Sequence, residues 1–84
     1  MTRKEKLIKR LLSKPKDFTW EELITLLSGF DFEERKTGKT GGSRRNFVNF
    51  SGLVISIHKP HPHNILKRYQ IEQVIEILKQ EGLL

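Results

Sequence analysis

Apolar residues recur along the first third of the chain with helical spacing. Leu7, Ile8, Leu11 and Leu12 share one helical face, lysines and arginines lie opposite, and Pro15 ends the segment. A second start signal follows at once. Thr19 is placed to cap, Glu22 lies three residues on, and Phe18 can pack on Leu23, the pattern of a capping box with a hydrophobic staple. Trp20, Leu23, Ile24 and Leu27 then fall at i, i+3, i+4 and i+7, and Gly29 is expected to stop the helix. Beyond it the period changes. Phe30 to Arg35 alternates Phe30 and Phe32 with Asp31 and Glu33, which suits a half-buried strand. Thr37 to Gly42 reads as a turn, Arg44 to Phe50 as a second strand, Ser51-Gly52 as a tight turn and Leu53 to His58 as a third strand. In that third strand Leu53, Ile55 and Ile57 share one face, expected to meet the helices. Val54, Ser56 and His58 share the other, expected to stay open.

Pro60 and Pro62 keep the next stretch extended. A last helix follows, with Ile71, Val74, Ile75 and Leu78 at helical spacing and Gly82 beyond its end. The sequence therefore predicts one α+β domain over residues 1–84: a helical pair, three antiparallel strands and a closing helix, with the helices packed on one face of the sheet. Trp20 fits the apolar stripe and reads as core. Tyr69, just ahead of the last stripe, reads as structural. Phe47 and Phe50 fall on opposite strand faces, so at most one can stack on a nucleobase.

Charge sharpens this picture. The formal net charge is +6, and it is segregated. Residues 3 to 16 hold seven basic groups and one acid, residues 17 to 34 six acids and no base, residues 35 to 45 five bases and no acid. One end of the fold should be strongly positive and draw in a polyanion or an acidic protein. The absence of cysteine removes disulfides, thiolate zinc sites and thiol nucleophiles from consideration. No apolar run approaches the ~18 residues of a membrane span, and the N-terminus lacks a signal-like apolar core. These features point to a cytoplasmic domain with no membrane partner.

The chemistry concentrates in Gly41 to Val48 and Ile55 to His63, which put Arg44, Arg45, His58, His61 and His63 on one hairpin and the loop after it. Guanidinium groups hold phosphate, and imidazoles move protons near neutral pH. RNA is the partner this pairing suggests. A zinc site built from His58, His61 and His63 is disfavoured by the neighbouring cations and by the lack of a defined ligand set. No metal or other cofactor is expected.

The element order resembles the HicA family of bacterial toxins. The resemblance rests on Gly42-Ser43 opening the second strand, on the histidine closing the third, and on the terminal Ile77-Leu78-Lys79-Gln80-Glu81-Gly82-Leu83. It implies a fold like a small double-stranded-RNA-binding domain, mRNA interferase activity and neutralisation by an acidic HicB-type antitoxin. HicA toxins typically read Gly-Ser-His at the turn, where the histidine is catalytic. Here Arg44 stands in its place, so this chain resembles a branch reading Gly-Ser-Arg.

A guanidinium stays charged and cannot serve as a base near neutral pH, but it can clamp a phosphate with two parallel hydrogen bonds. The proton work would fall to His58, helped by His61 if the prolines let the two converge. Arg44, His58 and His61 are thus the catalytic candidates, and Ser43, Arg44, Arg45, Lys59, Arg35, Lys36 and Lys39 the RNA-binding ones. The loop cations Arg35, Lys36 and Lys39 have a solvated turn as their equal alternative. The expected function is a metal-independent endoribonuclease. The alternative is a non-catalytic module that binds RNA or an antitoxin.

Overall fold

The strongest start signal in the sequence forms as read. Thr19 accepts from the Glu22 amide at 3.1 Å, and the Glu22 carboxylate accepts from the Thr19 amide at 3.0 Å. Satisfying two otherwise orphaned groups in this way is worth about 1 kcal/mol. A computed structural model describes residues 2–35, 44–60 and 63–84. Helices α1 (Arg3–Leu12) and α2 (Trp20–Ser28) are followed by strands β1 (Phe32–Arg35), β2 (Arg44–Asn49) and β3 (Val54–His58), then by helix α3 (Arg68–Gln80). The strands form one antiparallel sheet in the order β1-β2-β3. This is the α+β architecture that the hydrophobic pattern predicts, with the helices on one face.

Alternation decides which face is covered. Phe32, Phe47, Ile55 and Ile57 are buried and meet Leu7 and Leu11 of α1, Trp20, Leu23, Leu26 and Leu27 of α2, and Ile71, Val74, Ile75 and Leu78 of α3 in a continuous core. Trp20 lies in that core, its ring centroid 5.6 Å from that of Phe47 in a tilted pair. Large side chains buried in this way each contribute about 1.5–3 kcal/mol of transfer free energy. The opposite face of the sheet carries no helix and holds Glu33 and Arg35 from β1, Arg44, Asn46 and Val48 from β2, and Val54, Ser56 and His58 from β3.

Some local details differ from the expectations. The strand begins at Phe32, because Asp31 takes a positive φ of 66° and reverses the chain between helix and strand. Aspartate tolerates that conformation better than most residues. Gly29 stops α2 as expected, and does so in the right-handed region at φ −65°. Its lack of a side chain serves close approach: a Cβ there would sit 3.1 Å from Lys4 Cδ, and the Lys4 ammonium lies 4.2 Å from the centre of the Phe30 ring. In α2 the buried stripe turns toward Leu26, leaving Ile24 exposed. Tyr69 is 60% exposed and is no part of the core.

The segment after β3 is tied back to α2. Trp20 donates its amide to the Asn64 carbonyl at 2.7 Å, Leu66 to the Phe18 carbonyl at 2.8 Å, and Asn64 Nδ2 to Glu21 Oε1 at 3.0 Å. Pro60 and Leu66 are buried in the same region. The start of α3 is therefore held close to the end of β3. Among the described residues, no helix is long and apolar enough to cross a membrane.

Candidate functional site on the open face of the sheet

Register brings the two principal candidates together. Arg44 pairs directly with His58 across β2 and β3, so both side chains leave the same face at the same level. Arg44 Nη2 lies 3.3 Å from His58 Nε2, and Arg44 Nη1 donates to Ser56 Oγ at 3.3 Å. Ser56 Oγ in turn donates to Asn46 Oδ1 at 2.8 Å. Arginine has donors and no acceptor, so a hydrogen bond between Arg44 and His58 requires a neutral imidazole with its lone pair on Nε2. The row Asn46, Ser56, Arg44, His58 is a polar chain with a cation and a proton acceptor at one end.

The backbone of His58 is fixed as well. Gln70, the buried polar residue of α3, donates from Nε2 to the His58 carbonyl at 2.9 Å and accepts from the Lys67 amide at 3.0 Å. One amide side chain thus joins the end of β3 to the first turn of α3. Burial makes both bonds matter, since either partner left unsatisfied costs about 1–3 kcal/mol.

The other cations divide sharply. Arg45 leaves the covered face, where its Nε lies 3.5 Å from Glu34 Oε2, and it also donates to the Arg44 carbonyl at 3.2 Å. Arg10 is bound by Glu22 and Asp17, each at 2.8 Å. Arg44 faces no carboxylate among the described residues. Its charge is available to an anion arriving from solvent, whereas those of Arg45 and Arg10 are offset within the fold. Arg35 is exposed on the open face opposite Asn46, and Lys59 is half-buried just past His58. Ser43, Lys36, Lys39 and His61 lie outside the described residues. His63 is exposed beyond the sheet.

Three contributors were not singled out from the sequence as site residues. Asn46 and Ser56 share the parity of Arg44 and His58 along their strands, which is the signal that finds them. Gln70 gave no such signal, because its contact depends on the path of the chain between β3 and α3.

A three-stranded sheet with helices on one face and an arginine–histidine pair on the other defines a small cationic α+β domain with a polar, solvent-facing site. Residues 20–83 match the family described as HicA toxin of bacterial toxin-antitoxin, about three quarters of the chain, and the protein belongs to that family. Membership gives it the role of the toxin component in a toxin–antitoxin pair, with an antitoxin partner in general. No curated protein and no solved structure shows a significant match to the chain. Helix α1 precedes the matched residues.

Proposed function

We propose that this toxin is a metal-independent endoribonuclease that cuts mRNA on the open face of its sheet, and that an acidic HicB-type antitoxin silences it by covering that face. The observation that carries the reading is the 3.3 Å contact between Arg44 and His58 on an uncovered face, with the cation lacking a carboxylate partner among the described residues. Arg44 binds the scissile phosphate through two donors and stabilises the added charge of the phosphorane. His58 Nε2 takes the proton of the ribose 2′-hydroxyl. The 2′-oxygen then bonds to phosphorus, the bond to the 5′-oxygen breaks, and that oxygen receives a proton. The products are a 2′,3′-cyclic phosphate and a 5′-hydroxyl. A single imidazole can return the proton it took, and His61 is the candidate for a separate acid. Lys59, Arg35 at the end of β1 and the cations Lys36 and Lys39, with Ser43, hold the flanking phosphates.

With the neutral tautomer that lets Arg44 donate to Nε2, the same contact also favours a second reading. It occupies the very lone pair that a base needs, and arginine stands where the family's histidine would act. A module that binds RNA or antitoxin without cutting fits those facts. Cleavage of single-stranded RNA in excess EDTA separates the two. The enzyme reading expects cutting by wild type, a loss of about 10²- to 10⁴-fold in His58→Ala with RNA binding retained, and loss of both binding and cutting in Arg44→Ala. His61→Ala in the same assay reports whether a second imidazole takes part. Cutting by His58→Ala at the wild-type rate removes the proton-transfer role. Salt-sensitive RNA binding by a wild type that never cuts establishes the binding module.

A further inference from the structure

The open face has a second end with different chemistry. Four residues along β2 from Arg44, about 14 Å at the usual rise of an antiparallel strand, Val48 pairs with Val54. Val54 is 52% exposed, and Phe50, just past the strand, is 88% exposed. An aromatic ring so bare costs solvation and contributes nothing to the core. The tight turn that carries it is built independently of the ring: Asn49 Oδ1 accepts from the Ser51 amide at 3.1 Å, from Ser51 Oγ at 2.8 Å and from the Leu53 amide at 2.9 Å. Beside the ring lies a cavity of about 470 Å³ lined by Phe50, Val48, Phe32, Asp31, Glu33 and Arg35. Its volume falls within the roughly 300–1,000 Å³ spanned by small-molecule pockets.

We infer that this cavity is a nucleobase subsite: Phe50 stacks on an unpaired base of the RNA whose phosphate is held at Arg44. The inference rests on the ribonucleic-acid reading of the face. The charges of the two ends divide the labour. At the Arg44 end a cation beside an imidazole suits phosphate. At the Phe50 end Asp31 and Glu33 repel phosphate but accept hydrogen bonds from the amino and imino groups of a base edge. Arg35, on the same face between them, is placed for the connecting backbone. A stacking ring with edge acceptors is how single strands are gripped, because the bases of a duplex are not available to either. The subsite therefore selects unpaired RNA and requires a few nucleotides on one side of the phosphate held by Arg44.

Fluorescence anisotropy with a short single-stranded RNA made uncleavable by 2′-O-methylation tests this. Phe50→Leu keeps an apolar side chain and removes the aromatic face; it should bind about 5- to 150-fold more weakly than wild type at unchanged thermal stability. Phe50→Tyr, which keeps the face, should bind as wild type does. A 2-aminopurine placed at the stacking position should lose fluorescence on wild type and not on Phe50→Leu. Equal binding by Phe50→Leu and wild type, with binding lost in Arg44→Ala, overturns the subsite and leaves the RNA reading standing. A wild type that binds no RNA overturns both. Loss of antitoxin binding in Phe50→Leu with RNA binding untouched reassigns the patch to the protein partner and overturns the subsite.

Discussion

Two arginines show how partners rather than residue type decide what a side chain does. Arg44 and Arg45 are adjacent, yet one meets an imidazole on the open face and the other a carboxylate on the covered face. Arg10 is a third case, and its chemistry is structural. Partial burial pushes the Glu22 carboxyl up, but hydrogen bonds from Arg10 and from Thr19 outweigh that and hold it below the ordinary carboxylate range. The same bonds hold the Arg10 guanidinium more firmly protonated than usual. A carboxyl whose pKa is depressed by folding contributes stability above its unfolded pKa, and that contribution is lost as pH falls through the folded value. Wild type should therefore lose melting temperature as pH drops below the ordinary carboxylate range. Glu22→Gln should be less stable by about 1 kcal/mol near neutrality, and its deficit should shrink on acidification. Parallel melting curves across that interval check this, and a deficit independent of pH would remove the charge from the explanation.

At the scale of elements, one buried amide side chain adds a polar link between the sheet and the closing helix, beside their shared core. Gln70→Met keeps the volume but strands the His58 carbonyl and the Lys67 amide, and it should cost about 1–3 kcal/mol in urea unfolding. If that variant is as stable as wild type, water replaces the amide and the joint is not rigid. The sequence makes much of this level legible. The open and covered faces of β2 and β3 follow from alternation, but counting out from a two-residue Ser51-Gly52 turn would set Arg45 opposite His58; Arg44 takes that place because Asn49 meets Leu53 and the loop includes Phe50. The errors have local causes. Phe30 and Phe32 imitate strand alternation, but a left-handed Asp31 between them ends it. Helical spacing puts Ile24 in the α2 stripe, whereas the lie of the helix against the sheet buries Leu26 instead. Gln70 was invisible because nothing in residues 58 to 70 states that their ends meet. The exposure of Phe50 was invisible too: strand parity sorted it from Phe47 but not from solvent.

For the whole molecule, segregation of charge along the chain does not survive folding unchanged. Two acids of residues 17 to 34, Asp17 and Glu22, fold back on Arg10 of α1, and Lys14 reaches Glu72 of α3 at 3.2 Å. What folding leaves uncompensated by a described carboxylate includes Arg44 on the bare side of the sheet. That is the arrangement expected if a polyanion and an acidic protein compete for one surface.

Helix α1 stands outside the stretch shared with the family, yet Leu7 and Leu11 reach into the common core. Shared ancestry and autonomous folding are thus different boundaries in this toxin. Cutting the chain back to residue 20 would peel away a wall that the rest cannot replace. Such a fragment should elute as aggregate in gel filtration, and a sharply melting monomer would show the wall to be ornamental. Any transplant of this toxin into a fusion must carry its first nineteen residues along.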